Sequence, residues 1–450
     1  MNIGINQKKI IDIVKKDIQH IESLENNVGT SALTYFALWA RTPGFEKLNF
    51  KLRGGLSVFG LVKVVLKDII SISLRSNYIA YKQKKKIKHD YSNLIVSWSS
   101  RSDFKEDGSY NDRYFKINSK NYINSLFFLI FNEDELPKNI DDNIIILKRI
   151  KYKYKYDLFF LAKYILKKII FSRFSFKKFF HSTSSHTRVA EVALDLLKKE
   201  IELAKIKSII MPYEGQPFQQ AIFFGAKQIN KNIITIGYDH SAPQSIPVHL
   251  FFRKGSPDFL LVNGTSQVKH SVDNLNWPSK KIKVVQSARY QKNESLNFSN
   301  LIFLPYEIFN DQIILKEFEN FLKISPKESF NKLIVKNHPL MLDSENHIKI
   351  KLQIENIIER YKNRFSSKSI NPNISVFVGP TTGAIIALEK KLKVFHICFD
   401  SIFESYSKEL WPMITVNQLS SNMFEYNLKK NGEFIVFGEE ENIFNKYYLH

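Results

Sequence analysis

The 450-residue sequence has little of what several protein classes require. Its single cysteine, Cys398, excludes an intramolecular disulfide and a zinc site built from several cysteines. A membrane-spanning helix needs about 18 uncharged apolar residues in a row. The most apolar long stretch, LSVFGLVKVVLKDIISISL, is interrupted by Lys63, Lys67 and Asp68. The start, MNIGINQKKIIDIVKKDIQ, lacks the continuous apolar core of a signal peptide, so we expect a cytoplasmic protein.

Acidic residues are also in short supply. The chain has 44 Asp and Glu against 66 Lys and Arg, which gives a formal net charge of +22. Such a surplus favours polyanionic partners, namely nucleic acid, anionic lipid or a phosphorylated substrate, and does not choose among them. A hydrophobic content of 44% indicates a folded protein, and the length fits two domains.

The first part of the chain reads as helical. Apolar residues recur at helical spacing in IIDIVKKDIQHIESL and LVKVVLKDIISI, so residues 1–90 are predicted to form a helical N-terminal region. The stretch YSNLIVSWSS, residues 91–100, then predicts a buried strand that begins a new domain.

Strands and helices alternate along the rest of the chain, in an order typical of parallel sheets. We predict two Rossmann-like domains, residues 91–285 and 286–450, facing each other across a cleft. In glycosyltransferases this α/β architecture is called GT-B. Ligands of such sheets bind at the carboxyl ends of the strands.

Residues 144–181 interleave Lys and Arg with aromatic and aliphatic residues. A pair of basic amphipathic helices in contact with anionic lipid fits this pattern. Helices with solvated lysines and a nucleic-acid-binding segment are the alternatives. We expect peripheral contact with the inner face of the membrane and no nucleic-acid partner.

The C-terminal half has the clearest anion-binding pattern. VFVGPTTGAIIALE places Thr381, Thr382 and Gly383 at a strand-to-helix turn, where free backbone N–H groups and hydroxyls favour a phosphate. His338 and Pro339 end another strand, KLIVKNHP, at the same predicted edge. The imidazole of His338 could donate a hydrogen bond to a phosphate or protonate it as it leaves.

Acidic residues follow strands of the first predicted domain. Glu214 and Gly215 come after the strand in IIMPYEGQPF, and a carboxylate there could deprotonate an acceptor hydroxyl. TIGYDHSAP adds Asp239 and His240. On the helix after the threonines, Glu389 is a candidate for binding a nucleotide ribose, with a solvated glutamate as the alternative.

The order of these motifs, acid plus Gly, then His-Pro, then a hydroxyl pair, resembles bacterial sialyltransferases and polysialyltransferases, which use CMP-activated sugars. The resemblance implies that Glu214 is the general base, that His338 contacts the CMP phosphate, and that Thr381 and Thr382 hold it. The sequence departs from the family at Tyr213, where a second acid is usual, and at Thr381, where Ser is more common.

A second resemblance covers SWSSRSDFKEDGSYNDRYF, MPYEGQPFQQAIFFGA, TIGYDHSAP and PDFLLVNG. These stretches look like bacterial surface-carbohydrate proteins of capsule and lipopolysaccharide biosynthesis, including Kdo-transferring enzymes. The resemblance implies that Asp239 could be a nucleophile in a retaining reaction. Asp107 and Gly108 form another acid-Gly pair, and the polar residues of their loop predict that it shapes the acceptor site.

The sequence therefore predicts a glycosyltransferase that moves a nonulosonate or Kdo from a CMP-sugar to a surface glycan or glycolipid. No resident cofactor is expected, and no metal, because no DxD-type acidic cluster faces the phosphate site. The alternatives are a GT-B transferase that uses a UDP-sugar or CDP-glycerol, and a non-catalytic protein that binds polyanions or membranes.

Overall fold

The computed structural model describes residues 2–24, 78–82, 91–131, 133–149, 158–171, 185–292, 298–324, 333–364 and 374–439. These residues form a mixed α/β fold with two large sheets. The helices are α1 (Ile3–Leu24), α2 (Leu158–Phe171), α3 (Ser185–Glu200), α4 (Pro217–Ile229), α5 (Thr265–Leu275), α6 (Asp311–Ile324), α7 (Glu345–Arg360), α8 (Gly383–Glu389) and α9 (Ser401–Glu404).

The strands are β1 (Tyr78–Tyr81), β2 (Asn93–Ser99), β3 (Asn111–Asp112), β4 (Ile117–Asn118), β5 (Ser125–Phe131), β6 (Ile144–Arg149), β7 (Ser208–Pro212), β8 (Ile234–Tyr238), β9 (Phe259–Val262), β10 (Ile282–Val284), β11 (Ser287–Gln291), β12 (Leu301–Phe303), β13 (Ile334–Lys336), β14 (Ile374–Val378), β15 (Lys393–Ile397), β16 (Ile414–Gln418), β17 (Met423–Leu428) and β18 (Phe437–Gly438).

The first sheet has eight strands in the order β1-β6-β5-β2-β7-β8-β9-β10. All neighbours are parallel except β1, which runs antiparallel to β6. The apolar run SLFFLIF of β5 is buried along its whole length. Continuous burial of this kind is what a parallel strand covered on both faces requires.

The second sheet has six strands in the order β13-β12-β14-β15-β17-β16. Its first four strands are parallel, as the alternating pattern predicts, whereas β17 is antiparallel to both of its neighbours. The hairpin of β16 and β17 was not predicted. The hairpin completes one edge of the sheet. In open sheets of this kind, ligands bind at the carboxyl ends of the parallel strands.

Contacts between distant parts of the chain join the two sheets. The Gln7 amide on α1 donates to the carbonyls of Ile402 and Ser405 on or next to α9. Near the end of the described chain, β18 pairs with β11, and the Val436 amide donates to the Asn263 carbonyl after β9. The predicted domain boundaries at 90/91 and 285/286 stay predictions, as does the cleft arrangement.

Two segments differ from their predictions. Tyr78–Tyr81 lies within the region predicted to be helical and is instead β1, which pairs with β6 at the edge of the first sheet. Ile144–Arg149 was predicted to begin a helix and is instead β6, paired with β1 and β5. A short apolar run fits a buried strand and a buried helix equally well, and here the neighbouring strands decide. The predicted helix LVKVVLKDIISI lies outside the described residues. Among the described helices, none has the length and apolarity to cross a bilayer.

Candidate functional site

Polar side chains gather where the parallel strands of the first sheet end. Glu214 follows β7, while Asp239 and His240 follow the adjacent strand β8. Because neighbouring parallel strands lie about 4.8 Å apart, their first loop residues meet at one edge. The structure therefore brings together three of the residues that the sequence singles out in this half.

The loop that carries Glu214 is held tightly. Gly215 has a φ of +65°, and a Cβ at this position would lie 1.9 Å from the His249 carbonyl oxygen. The Gln219 side chain accepts hydrogen bonds from the amides of Glu214 and Gln216, and its own amide donates to the Pro212 carbonyl. Gln219 is a positioning residue that motif reasoning missed.

Glu214 is enclosed on one side and open on the other. Its side chain is 29% exposed, and Oε1 lies 3.7 Å from His240 Nε2. The other carboxylate oxygen accepts from the Gln216 side chain. Burial raises the pKa of the Glu214 carboxyl, and the Gln216 hydrogen bond and the charge of Arg289 oppose part of this rise. A base that keeps one face open can accept a proton from a substrate.

Asp239 and His240 are both buried, and their pKa values are shifted in opposite directions. Burial, reinforced by the charge of Glu214, raises the pKa of Asp239 to about 8. Its carboxylate accepts from the Gln267 side chain. Burial and the charge of Arg289 lower the pKa of His240 to about 3. Near neutral pH, the site therefore holds a neutral imidazole and a largely protonated Asp239 beside Glu214.

Three further side chains border this cluster and were not predicted as site residues. The ring of Tyr114 lies 4.5 Å from that of His240, edge to face, and Trp98 lies 5.5 Å from Tyr114. Burial and the charge of Glu214 raise the pKa of Tyr114 to about 12. Arg289 on β11 is exposed. Trp98, Tyr114 and Arg289 are far apart in the sequence and belong to no motif, so their proximity is visible only in the folded structure.

Tyr213, where the resembling family has an acid, points away from this cluster. It is fully buried and its ring packs 6.1 Å from that of Phe223 on α4. The backbone alternation therefore turns position 213 into the core and position 214 towards the site.

His338 lies at the carboxyl end of β13 in the second sheet, and Pro339 begins a short 3₁₀ turn after it. The Leu340 amide donates to Nδ1 of His338, which leaves the proton of the neutral ring on Nε2. The ring of Tyr306, from the loop after β12, packs 5.4 Å from the imidazole, edge to face. Burial and the charge of His347 lower the pKa of His338.

The threonine turn follows β14, which is separated from β13 by β12. Gly379 opens it with a φ of +66°, and a Cβ there would lie 2.6 Å from the Phe399 ring. Thr381 Oγ1 accepts from the Gly383 amide, and Thr382 makes no capping hydrogen bond to α8. His338 and the threonines thus share one sheet edge, on either side of the Pro305–Tyr306 loop.

One loop connects the two clusters. It leaves β8 at Asp239 and His240 and continues to Gln244 and Ser245, which line a cavity of about 10 Å³ together with Pro380, Thr381 and Thr382. The Ser245 hydroxyl donates to the Phe403 carbonyl beside this cavity. The four residue steps from His240 to Gln244 span at most about 14 Å, so a single extended substrate could reach from the Glu214 cluster to the threonine turn.

Two predicted residues are engaged elsewhere. The buried carboxylate of Glu389 accepts from the amides of Gly432, Phe434 and Ile435, so it holds the chain that returns to the first sheet. Its contact with a ribose stays a prediction. Asp107 accepts from Ser109 and forms an ion pair with Lys120, and these contacts lower its pKa.

Comparisons with known proteins identify no family for this chain. No family model matches the sequence, and no curated protein matches it. A solved glycosyltransferase from Rickettsia africae is similar at a TM-score of 0.29 and 11% identity, over 68% of this chain and 79% of that one. The N-terminal domain of a Candida albicans trehalose-6-phosphate phosphatase reaches 0.32 and 11%, over 69% and 83%. Likenesses this small carry no weight for the function of this chain.

Proposed function

We propose that this protein is a glycosyltransferase. The observation that carries the proposal is the His240–Ser245 loop, which begins at the Glu214 cluster and ends at the threonine turn. A partly open carboxylate on one side and a turn of hydroxyls and amides on the other suit a reaction between an acceptor alcohol and a sugar phosphate. Glu214 removes the acceptor proton as the sugar–phosphate bond breaks.

The leaving phosphate is assigned to the edge of the second sheet. Nε2–H of His338 donates a hydrogen bond to it as negative charge develops on the phosphate oxygen. The Thr381 and Thr382 hydroxyls add donors on the other side of the Pro305–Tyr306 loop. In this assignment Asp239 stays protonated and does not compete with Glu214 as the base.

The donor is proposed to be a CMP-linked acidic sugar, such as a nonulosonate or Kdo. The order of the Glu-Gly, His-Pro and Thr-Thr motifs supports CMP as the nucleotide. Arg289, whose charge reaches Glu214 and His240, offers a cation for the sugar carboxylate. A UDP-sugar or CDP-glycerol donor is the competing proposal within the same fold.

The acceptor is proposed to be a surface glycan or glycolipid at the inner face of the membrane. On α2, Leu166 and Ile170 are 58% and 63% exposed, and Lys163 and Lys167 are exposed at helical spacing from them. A helix face of exposed aliphatic and basic side chains fits a membrane that carries anionic lipid.

Donor hydrolysis tests this proposal without knowledge of the acceptor. We expect the purified protein to release CMP slowly from CMP-sialic acid or CMP-Kdo, and not to cleave a UDP-hexose or CDP-glycerol. His338→Ala should lower the rate by about 10²- to 10³-fold, since it removes one donor to the developing charge. Cleavage of the UDP-hexose alone would replace the proposed donor, and an unchanged rate in His338→Ala would remove His338 from the mechanism.

A further inference from the structure

A cluster of metal-ligand side chains lies beneath the threonine turn. His396 lies near the end of β15 and Cys398 is the first residue after the strand, so the alternation of side chains places both on the same face. Glu404 ends α9. One ligand atom from each of the three lies within 4.8 Å of the others, and all three residues are buried. The His396 Nδ1 and Cys398 Sγ atoms are 3.5 Å apart.

Hydrogen bonds prepare His396 to bind a cation. Its Nε2 donates to the Gly379 carbonyl at 2.7 Å, so the lone pair of the neutral ring is on Nδ1, the atom that faces Cys398. Histidines that bind metals commonly donate their second ring nitrogen to a backbone carbonyl in this way. The Tyr426 hydroxyl also faces Nδ1, at 3.3 Å.

Glu404 completes the set. One carboxylate oxygen accepts from the Phe399 amide at 2.8 Å, which fixes the side chain and leaves the second oxygen for a ligand. Glu404 also lines the small cavity between the two sheets. In that cavity Gln244 is 7% exposed, and its Oε1 has no hydrogen-bond partner within the described structure. A buried amide oxygen without a donor points to a missing polar ligand.

We propose that His396, Cys398 and Glu404 bind a zinc ion. A nitrogen, a thiolate and a carboxylate are ligands that zinc accepts, whereas sulfur disfavours magnesium and calcium. A thiolate and a carboxylate balance the charge of a divalent cation, so the buried site carries no net charge. Three protein ligands leave the fourth tetrahedral position for a water, which the cavity of about 10 Å³ can hold and which could donate to Gln244.

The zinc ion would hold the threonine turn in place. His396 is bound to the Gly379 carbonyl, and Gly379 begins the turn that carries Thr381 and Thr382. The ion therefore has a structural role here, one strand away from the proposed phosphate site. The sequence analysis excluded a zinc site of several cysteines and expected no metal because no acidic cluster faces the phosphate site. The proposed site uses one cysteine and departs from that expectation, at a place one strand away from the threonine turn.

Cobalt substitution tests the proposal with a spectrum, independently of any enzyme activity. Cys398 is the chain's single cysteine, so a thiolate-to-cobalt charge-transfer band in the near ultraviolet can arise from this residue alone. We expect the purified full chain to contain one zinc per molecule by elemental analysis. After exchange into Co²⁺ it should show this band, which Cys398→Ser removes and His338→Ala leaves unchanged.

Two results would overturn the site. The first is a wild-type protein without zinc above the buffer level that also gains no charge-transfer band with Co²⁺. The second is cobalt binding without that band, which would place the metal away from Cys398. Both are measured on the wild-type protein, so they decide the question even if Cys398→Ser does not fold.

Discussion

Glu214 Oε1 and His240 Nε2 lie 3.7 Å apart at the ends of two adjacent parallel strands. The distance exceeds that of a hydrogen bond, and the low pKa of about 3 keeps His240 neutral at ordinary pH. The contact is therefore not an ion pair that neutralises the carboxylate. Glu214 therefore keeps its open face for a substrate hydroxyl.

Glu214→Gln should abolish most of the glycosyl transfer while preserving the fold. The amide has the shape of the carboxylate but cannot take a proton, so we expect transfer to fall about 10²- to 10⁴-fold. Initial rates with CMP-sialic acid or CMP-Kdo and a glycan acceptor measure this. The matched control is Glu355→Gln on the exposed side of α7, which should transfer at the wild-type rate. Equal rates for the two variants would exclude Glu214 as the base.

Asp239 should make the protein less stable as the pH rises. The folded carboxyl has a pKa of about 8 against an ordinary value of 3.8, so between these values the unfolded chain releases a proton that the folded chain keeps. Folding stability then falls by about 1.4 kcal/mol per pH unit across this window and levels off above it.

Asp239→Asn removes this slope, and urea unfolding at pH 5, 6, 7 and 8 measures it against the wild type. We expect the free energies of unfolding of the two proteins to converge, or to cross, as the pH rises. Asp273→Asn, on the exposed face of α5, should retain the wild-type slope. Parallel curves for wild type and Asp239→Asn would contradict a raised pKa.

Alanine substitutions at two glycines with a positive φ compare the cost of backbone strain alone with the cost of strain plus a steric clash. Gly432 has a φ of +80°, and a Cβ added there would have no atom within 4 Å, so Gly432→Ala should cost about 1–2 kcal/mol. Gly215→Ala adds the collision with the His249 carbonyl oxygen and should cost several times more or prevent folding. Urea unfolding compares the two. Equal costs would mean that the Glu214 loop is free to move.

Glu389→Ala tests whether this residue is structural. Removing the carboxylate leaves three backbone N–H groups without their acceptor, and each buried loss costs about 1–3 kcal/mol. We expect a large fall in melting temperature that Glu355→Ala does not show. If Glu389→Ala instead keeps its stability and binds nucleotide more weakly, the ribose contact predicted from the sequence is favoured.

The sequence predicted the parts of the fold that local pattern determines. Alternating strands and helices indicated parallel sheets, and the ends of β7, β8, β13 and β14 carry the predicted polar residues. The hairpin of β16 and β17 was missed because its position at a sheet edge depends on pairing with β15. Ile144–Arg149 was predicted as helix because short apolar runs do not distinguish the two structures.

The site was predictable only where a motif marked it. Glu214, His338 and Thr381 follow strands and could be found by position. Arg289 acts on Glu214 through its charge, and Gln219 acts through hydrogen bonds to the backbone of the Glu214 loop. Neither interaction can be predicted from the spacing of residues in the sequence. The same holds for Gln244 and for the His396–Cys398–Glu404 cluster, since their meaning comes from which loops the fold places together.

The most direct test is the melting temperature of the purified protein with CMP, CDP, UDP and GDP side by side. A ligand that binds the folded state raises this temperature, and the rise grows with the logarithm of the ligand concentration divided by its Kd. We predict a rise with CMP that UDP and GDP do not produce, and that is lost in His338→Ala. Absence of a rise with all four nucleotides would contradict the assignment of the phosphate site and favour a non-catalytic, polyanion-binding protein.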